Sequence, residues 1–266
     1  MNQPFEWRAA PKADFAVIGD PVKHSLSPKM HSAAYAALSL DLSYVAIHVS
    51  TGEVELALNH LGALGYQGVN VTVPHKEEVL NWARSPDEFA LKARAANTIR
   101  MADRSAINTD APGFLDTIEG RAPTGSRVLM IGAGGSARAL AIALVLKGYS
   151  VQIHNRTRER AVELARVTGA SVIESLDPAD CDLIVNTTSA SLSGADLPVN
   201  WDNAKPGAIA YDLAYAPQKT PFMLTAEAHG LKAMDGRELL VAQGARSFEW
   251  WLGRTAPRDA MLVALL

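Results

Sequence analysis

The sequence predicts an α/β fold with two lobes, and two patterns lead to that prediction. From residue 14 to about residue 240, short runs of β-branched and apolar residues alternate with longer segments in which apolar residues recur at helical spacing. A polar stretch containing glycine and proline interrupts this alternation at 120–125, and a fully apolar strand pattern begins soon after it. The stretch is therefore a candidate boundary between the lobes.

Composition places the chain among ordinary globular proteins. Its 266 residues suffice for one large domain or two of average size, and its net charge of −3 gives no electrostatic reason to expect nucleic acid or an anionic membrane as a partner. Cys181 is the one cysteine, which excludes an internal disulfide and suits a reducing compartment. The N-terminus shows no signal-peptide pattern, and no apolar run approaches the roughly 20 residues of a membrane span. We expect a cytoplasmic monomer or homodimer that binds small molecules in pockets.

Local signals predict the elements of the first half. Ser27 and Pro28 suggest a helix N-cap followed by proline at the first helical position, and Ser50 with Glu53 forms a possible capping box for the next helix. The predicted elements are strands at 15–18, 44–49, 70–73, 98–101 and 106–109, a helix after residue 27, a helix ending near 64, one or two short helices between 76 and 94, and a helix from 110 to about 119.

The second half repeats the alternation with more strongly apolar strands. Residues 128–131 are entirely apolar, which is typical of a strand buried on both faces. The predicted elements are strands at 128–131, 150–154, 183–186 and 208–213, helices at 137–146 and 158–167, and a helical C-terminal region from 236.

A lysine and an aspartate follow two of the predicted strands. Residues 70–73 alternate polar and β-branched, which indicates a half-buried strand, and Pro74 ends it just before Lys76. Asp110 comes at the end of another apolar stretch, where it could also serve as a helix N-cap. Because strand ends hold side chains on a rigid backbone, we interpret Lys76 and Asp110 as a candidate proton-handling pair.

A glycine-rich turn joins an apolar strand to a helix in the second half. It follows the pattern G-x-G-x-x-G/A, and a further strand comes about twenty residues later, which makes the pattern specific for a Rossmann-type dinucleotide site. Gly132 allows the tight turn, Gly134 lets the backbone approach a pyrophosphate, and Ala137 lets the helix pack closely. Free N–H groups at the helix start then face the phosphates. The predicted turn residues are Gly132, Ala133, Gly134, Gly135, Ser136 and Ala137.

The residues after the second strand of this lobe indicate which dinucleotide binds. An NAD site carries an acidic residue there to accept from the ribose 2′-hydroxyl, and this chain has none. It offers Asn155, Arg156, Thr157 and Arg158 instead, and two guanidinium groups suit a 2′-phosphate. We therefore predict NADP rather than NAD, and hydride transfer to or from a carbonyl or alcohol.

Two serines precede the first predicted helix. Ser25 and Ser27 lie beside the helix N-terminus, where hydroxyl and N–H groups could hold a carboxylate. The residues alone leave a second interpretation open, in which Ser27 is only an N-cap and Ser25 only a turn residue. The histidines at 24, 31, 75 and 154 show no metal-ligand spacing with one another or with Cys181, so we predict no metal site.

Taken together and in order, these motifs resemble the shikimate dehydrogenase family. The resemblance covers nearly the whole chain and includes motifs from both lobes. The matching segments are HSLSP at 24–28, NVTVPHK at 70–76, AANT at 95–98, NTDAPGF at 108–114, GAGGSARA at 132–139, NRTRERA at 155–161 and LLVAQ at 239–243.

The resemblance implies a reaction and a separate domain for each of the two ligands. It implies that NADPH reduces 3-dehydroshikimate to shikimate, on the route through chorismate to the aromatic amino acids. It also implies that the last helices return to the first lobe, so that we expect a substrate-binding domain over 1–112 with 237–266, and a Rossmann NADP-binding domain over 113–236.

The resemblance further implies roles for single residues. Ser25 and Ser27 would hold the substrate carboxylate with help from Tyr215. The residues expected around the ring hydroxyls and the reacting carbonyl are Thr72, Lys76, Asn97, Asp110 and Gln243. Those expected to add to the cofactor site outside the glycine turn and 155–158 are Thr187, Leu213 and Gly236.

The chain departs from the family pattern at three places. Asn-Thr-Thr-Ser at 186–189 replaces an Asn-Ala-Thr-Pro-like run that would flank the nicotinamide, and Gly-Arg-Glu-Leu-Leu at 236–240 replaces Gly-Leu-x-Met-Leu. Ala111 replaces a glycine after Asp110. Two alternatives therefore stay open: a paralogue acting on quinate as well as shikimate, or on an amino-substituted analogue, and a non-catalytic NADP-binding regulator.

Overall fold

The computed structural model describes residues 3–266, apart from the side chain of Leu192, and confirms the predicted α/β fold. The chain divides into two compact units, one formed by 3–113 with 240–266 and the other by 114–239. The division lies before the stretch at 120–125, because Phe114 and Ile118 already belong to a core of the second unit. Within the described residues, no helix has the length and apolar character of a membrane span.

The first unit is built on a seven-stranded sheet with strand order β1-β3-β2-β4-β6-β7-β5. Its strands run parallel except for β6, which is antiparallel to both β4 and β7. The strands are β1 (Phe5–Glu6), β2 (Phe15–Gly19), β3 (Tyr44–His48), β4 (Gly68–Val71), β5 (Ser85–Pro86), β6 (Thr98–Arg100) and β7 (Ser105–Ile107). The helices of this part of the chain are α1 (Ser27–Ala37), α2 (Val54–Ala63), α3 (Glu78–Trp82), α4 (Glu88–Ala93) and α5 (Asp110–Ile118).

The second unit is built on a six-stranded parallel sheet with strand order β10-β9-β8-β11-β12-β13. Counted within the unit this order is 3-2-1-4-5-6, that of the Rossmann fold. The strands are β8 (Arg127–Ile131), β9 (Ser150–His154), β10 (Ser171–Val172), β11 (Leu183–Asn186), β12 (Ile209–Asp212) and β13 (Lys232–Met234). The helices are α6 (Gly135–Leu146), α7 (Arg158–Thr168) and α8 (Pro221–Ala228), followed by α9 (Arg237–Leu252) and α10 (Arg258–Val263).

Both sheets are covered on both faces. Phe15 and Val17 of β2 belong to one apolar core, and the intervening Ala16 and Ile18 belong to another. Successive strand residues point to opposite faces, so two separate cores mean that neither face of the sheet is left to solvent. The same alternation along β8 divides residues 128–131 between two cores of the second unit.

The predicted caps of three helices are wrong. Asp110 is the first residue of α5 and not its N-cap, because the Gly113 N–H donates to the Thr109 carbonyl (3.0 Å). Leu26, not Ser27, is the N-cap of α1, because its carbonyl accepts the first helical bond from Met30, and Ser25 Oγ instead accepts from the Ser27 N–H (3.3 Å). Glu53 itself is the N-cap of α2, and no side chain caps that helix. Its carboxylate accepts hydrogen bonds from Arg8 and Trp7 instead of completing a capping box.

The strand that precedes Lys76 is more buried than its alternation suggests. All four residues of β4 are buried, and Asn70 is only 5 % exposed, so the prediction of a half-buried strand is wrong. Asn70 accepts from the Tyr44 hydroxyl and donates to groups on β6 and α9, which satisfies an amide that burial would otherwise penalise.

His48 at the end of β3 links two segments through carboxylates. Its two ring nitrogens each lie 3.1 Å from a carboxylate oxygen, one of Glu6 and one of Asp20. The hydrogen bonds with Glu6 and Asp20 raise the pKa of His48 above its ordinary value. A raised pKa means that the charged histidine stabilises the folded state. This stabilisation is fully present below the unfolded pKa of about 6.5, and it is lost as the pH rises through the folded pKa.

We expect His48→Gln to be less stable than the wild type at about pH 5.5, by less than about 1 kcal/mol because the pair is partly exposed. The difference should shrink as the pH rises to about 8.5, where the folded-state histidine has lost its charge. Thermal melts of both proteins across this range measure it. A difference that stays constant or grows with pH would contradict the electrostatic origin.

Candidate active site

Several predicted site residues lie at one edge of the first sheet. β2, β4 and β7 run in the same direction, so their carboxyl ends meet at one edge, and the antiparallel β6 begins there. The register pairs Asn70 with Thr98 and Thr98 with Ile107, which brings the ends of these strands level. The segments with Ser25, Thr72, Lys76, Asn97 and Asp110 all adjoin this edge.

A turn held by backbone hydrogen bonds carries Lys76. The Thr72 N–H donates to the Ile18 carbonyl (2.9 Å), and the Lys76 carbonyl accepts from the Ala96 N–H (2.8 Å). His75 is fully buried beneath the turn, where its Nε2 donates to the Val49 carbonyl (2.7 Å). Because the main chain is fixed on both sides, the position of the Lys76 side chain is restricted at its base.

Lys76 and Asp110 form an ion pair. The Lys76 Nζ lies 2.7 Å from Asp110 Oδ2, and the two side chains are 17 % and 15 % exposed. Asp110 is the first residue of α5, where the helix dipole stabilises a carboxylate. The sequence predicted that each residue follows a strand and that the two could form a pair, and the structure brings them into direct contact. An ammonium so paired retains donors for a further oxygen.

Asn97 and Gln243 form a second contact at this edge. The Thr109 N–H donates to Asn97 Oδ1 (2.7 Å). Because an N–H can only donate, the atom facing it must be the side-chain oxygen of Asn97, and the side-chain nitrogen Nδ2 faces away from Thr109 N. That nitrogen donates to Gln243 Oε1 at 3.2 Å. Gly113 on α5 lets the backbone of α9 approach closely, since a Cβ there would lie 2.8 Å from the Gln243 backbone nitrogen.

The two serines and Thr72 line neighbouring segments of the same edge. Ser25 is half-buried on the connection between β2 and α1, and Ser27, the first residue of α1, is 6 % exposed. Thr72 follows β4 and packs against Gly19, where a Cβ would lie 2.4 Å from the Thr72 methyl carbon. Ser25 and Thr72 are therefore both partly exposed, and Thr72 is set on a packed backbone.

The glycine turn of the second unit has the expected strand–turn–helix setting. Gly132 adopts φ of +115°, and a Cβ there would lie 2.3 Å from Thr187 Oγ1, so this position requires glycine for two reasons. Gly134 and Gly135 are exposed at the start of α6, and a Cβ on either would meet none of the described atoms within 4 Å. Ala137 is fully buried where α6 packs on the sheet.

The other predicted cofactor residues follow adjacent strands. Thr187 comes after β11, and its hydroxyl donates to the Ile131 carbonyl (2.7 Å). Leu213 comes after β12, and Gly236 after β13, where a Cβ would lie 2.1 Å from the Leu213 carbonyl oxygen. β8 and β11 are neighbours at the point where the strand order reverses, and dinucleotides bind at such switch points in Rossmann folds.

The two arginines expected at the 2′-phosphate differ in their surroundings. Arg156 and Arg158 are both exposed after β9, and the Arg158 Nε donates to Glu174 Oε1 at 2.6 Å. The Asn155 side chain donates to the Thr157 carbonyl (2.8 Å), which shapes the turn between them. A phosphate would have to compete with Glu174 for Arg158.

Two groups of residues escaped the sequence interpretation. The first is a set of buried hydroxyls and amides beneath Asn97 and Gln243; spacing of four residues along α9 between Gln243 and Ser247 was the available signal. The second is the set of partners of Arg237, a position noted from the sequence only as part of the departure at 236–240. Its guanidinium donates to Asp235 (2.5 Å) and to the Ala216 carbonyl (2.6 Å), next to Tyr215 in the segment after β12. Among residues 3–266, no group of three or more His, Cys, Asp or Glu side chains could hold a metal ion.

Three family models match the chain in succession. Residues 17–99 match the model described as the shikimate dehydrogenase substrate binding domain. Residues 118–193 match that of shikimate/quinate 5-dehydrogenase, and residues 236–266 match the shikimate 5′-dehydrogenase C-terminal domain.

Relatives match over nearly the whole length. The chain is 42 % identical to the shikimate dehydrogenase (NADP(+)) of Moorella thermoacetica, over 92 % of this chain and 90 % of that protein. It is 40 % identical to the shikimate dehydrogenase (NADP(+)) of Methanocella arvoryzae, over 93 % and 96 %. Among solved structures, shikimate 5-dehydrogenase from Thermus thermophilus in complex with NADP(H) and shikimate superposes with a TM-score of 0.88 at 35 % identity, over 94 % and 97 %.

Proposed function

The chain belongs to the shikimate dehydrogenase family, and on that premise we propose that it reduces 3-dehydroshikimate reversibly to shikimate with NADPH. The reaction is a step in chorismate and aromatic amino acid biosynthesis. The observation that carries the proposal is the Lys76–Asp110 ion pair of 2.7 Å at the carboxyl edge of the first sheet. We assign substrate binding to 1–112 with 237–266, and NADP binding to 113–236.

Lys76 and Asp110 handle the proton of the reaction. When bound, NADPH supplies the hydride, and hydride addition leaves negative charge on the former ketone oxygen. The Lys76 ammonium stabilises that oxygen and gives it a proton. Asp110 holds the ammonium in place through its Oδ2, and its other oxygen is an acceptor for a substrate hydroxyl. In the reverse direction the same pair accepts the proton of the shikimate hydroxyl.

The remaining polar residues orient the substrate. Ser25 and Ser27, with Tyr215, hold the carboxylate. Thr72, Asn97 and Gln243 bind ring hydroxyls, since a hydroxyl and an amide each offer a donor and an acceptor. Orienting the ring in this way brings one carbonyl carbon to the reacting position, which lowers the activation free energy of the hydride transfer.

The second unit fits NADP through its turn and its arginines. The open space at Gly134 and the start of α6 suit a pyrophosphate. The groups that complete this side are the backbone of Gly132, Ala133, Gly135, Ser136 and Ala137, the 2′-phosphate ligands Asn155, Arg156, Thr157 and Arg158, and the nicotinamide neighbours Thr187, Leu213 and Gly236.

We expect Arg156→Ala to raise the KM for NADPH by roughly 10- to 100-fold, the range for losing a charge-assisted hydrogen bond to a phosphate. The KM for NADH should change less than about twofold, because NADH lacks the 2′-phosphate. Steady-state kinetics with both cofactors measure the two constants. Arg166→Ala, an exposed arginine in the last turn of α7, is the matched control. Equal effects on NADPH and NADH would contradict the assignment.

One assay separates the proposed function from its alternatives. Formation of NADPH from NADP⁺ is followed with shikimate, with quinate and without substrate. We expect turnover with shikimate only. Turnover with quinate at a comparable rate would favour the broader paralogue, and NADP⁺ binding without turnover would favour the regulator. We also propose that the protein is cytoplasmic and is a monomer or homodimer.

A further inference from the structure

We propose that Ser247 is a positioning residue for this reaction: through a buried cluster of hydroxyls and amides it fixes the directions in which Asn97 and Gln243 present their side-chain amides. The inference rests on the proposed function, in which these two amides bind ring hydroxyls of the substrate. Ser247 lies on α9, is fully buried and does not itself reach the Lys76–Asp110 pair by any described hydrogen bond.

The cluster joins segments that are distant along the chain. Ser247 Oγ lies 2.8 Å from Thr98 Oγ1 on β6, 3.0 Å from Asn70 Nδ2 on β4 and 3.3 Å from Thr109 Oγ1 before α5. It also donates to the Gln243 carbonyl one turn earlier on its own helix (3.0 Å). A single hydroxyl therefore contacts two strands of the first sheet, the segment before α5, and the backbone of Gln243.

The cluster determines which way each amide points. Asn70 Nδ2 donates to the Asn97 carbonyl (3.1 Å), and its Oδ1 accepts from the Tyr44 hydroxyl (2.8 Å). Burial raises the pKa of Tyr44 well above its ordinary value, so this hydroxyl remains a donor. With Asn70 fixed in this orientation, its Nδ2 can only donate towards Ser247 Oγ (3.0 Å) and Thr98 Oγ1 (3.1 Å). Ser247 Oγ is therefore the acceptor in that contact, and its own proton is directed to an acceptor such as the Gln243 carbonyl.

The side-chain amide of Asn97 is also held by hydrogen bonds within this cluster. Its Oδ1 accepts from the Thr109 N–H, its Nδ2 donates to Thr109 Oγ1 (2.9 Å) and to Gln243 Oε1, and Thr98 Oγ1 lies 3.3 Å from its Oδ1. The Gln243 nitrogen donates to the Leu240 carbonyl (2.7 Å). Each amide has one orientation that satisfies all its partners. Ser247 contacts the Thr98 and Thr109 hydroxyls, which adjoin the Asn97 amide, and the backbone carbonyl of Gln243.

Stability alone gives little reason for these buried hydroxyls. A buried hydrogen bond adds only a modest net amount to stability, and apolar side chains of the same shape can serve a core nearly as well. A fully satisfied buried polar network, by contrast, specifies one arrangement of its members. The gain is therefore in the orientation of Asn97 and Gln243, which a substrate with several hydroxyls requires.

The test compares Ser247→Ala with Thr168→Val. Thr168 is a buried residue of α7 whose hydroxyl also bonds one turn back, to Leu164 (2.8 Å), and it lies in the other unit. We expect Ser247→Ala to raise the KM for shikimate about five- to tenfold, the factor expected for one hydrogen bond, with the KM for NADP⁺ within about twofold. Thr168→Val should change neither constant.

A double-mutant cycle asks whether Ser247 acts through Asn97. In the Asn97→Ala background, Ser247→Ala should add little further increase in KM, since the amide that it orients is gone. The same factor in both backgrounds, or an equal rise in the KM for NADP⁺, would overturn the proposal. If Ser247→Ala fails to fold, Thr98→Val tests the same cluster. Thr98→Ser, which keeps the hydroxyl, should restore the wild-type KM; if it does not, the proposal fails.

A readout without turnover keeps this proposal separate from the proposed function. We expect the side-chain amide NMR signals of Asn97 and Gln243 to shift and to exchange faster with solvent in Ser247→Ala, and to stay unchanged in Thr168→Val. If the wild type does not oxidise shikimate, the proposed function fails, and the amide signals still decide on the cluster. Unchanged signals in Ser247→Ala would overturn the positioning role.

Discussion

Replacing Lys76 by alanine should lower kcat/KM for shikimate by at least about a hundredfold, the effect of removing a positioned acid–base group. The variant loses the donor that stabilises the developing alkoxide, and it leaves Asp110 without its 2.7 Å partner. Asp110→Asn should cost a similar factor, because an amide keeps the shape of the side chain and loses the charge that holds the ammonium. Steady-state oxidation of shikimate measures both, and thermal melts check that each variant is folded.

The neighbouring residues provide matched controls for this pair. Glu77 and Lys92 lie in the same part of the first unit, and both are exposed. Glu77 pairs with Arg94 at the surface, with both side chains about 60 % exposed, and surface pairs contribute little. Glu77→Gln and Lys92→Ala should therefore keep kcat/KM within about twofold. If Lys76→Ala and Asp110→Asn both lose less than about fivefold, the pair has no part in the chemistry.

Two alanine substitutions in the glycine turn should have different effects. Gly132→Ala places a Cβ at φ of +115° and 2.3 Å from Thr187 Oγ1. Strain and overpacking together cost about 2–5 kcal/mol, which corresponds to a fall in Tm of roughly 5–15 °C. Gly134→Ala has φ of −84° and meets none of the described atoms, so its Tm should stay within about 2 °C.

The two alanine variants should also differ in how they affect NADP⁺ binding. The Gly134 methyl group would occupy the space through which the backbone approaches a pyrophosphate, so Gly134→Ala should raise the KM for NADP⁺ at least about tenfold while remaining folded. Steady-state kinetics measure the KM for NADP⁺, and differential scanning fluorimetry with and without NADP⁺ measures the Tm and its shift on binding. A Gly134→Ala protein that binds NADP⁺ normally would contradict a dinucleotide site at this turn, and an unchanged Tm for Gly132→Ala would contradict the close contact with Thr187.

The fold followed from local patterns where those patterns were long. The alternation of strands and helices predicted the α/β class, and the glycine turn between β8 and α6 predicted the Rossmann sheet, whose strand order confirms it. Local patterns failed at Ser27 and Glu53. The competing groups there were Ser25 for the Ser27 N–H and Arg8 with Trp7 for the Glu53 carboxylate. A capping motif predicts only what a side chain can bind, and partners elsewhere decide what it does bind.

Asn70 shows why part of the site was beyond sequence interpretation. A polar residue between two valines indicates a solvent-facing position, yet Asn70 is buried by a helix whose Ser247 follows it by 177 residues. Nothing in the strand itself specifies that partner. Lys76 and Asp110 were predictable as candidates because each follows an apolar strand, but their contact depends on the strand order of the sheet.

The sequence by itself determined the class of fold, the glycine turn, the absence of an acidic residue after β9, and the residue types from which a proton-handling pair could form. These properties depend on periodicity and on the steric limits of single residues, which act over a few positions. Only the tertiary structure decided that Lys76 contacts Asp110 and that Ser247 underlies Asn97 and Gln243. Such contacts join residues far apart in the chain, and strand order and helix packing, which arise from the whole fold, bring them within hydrogen-bonding distance.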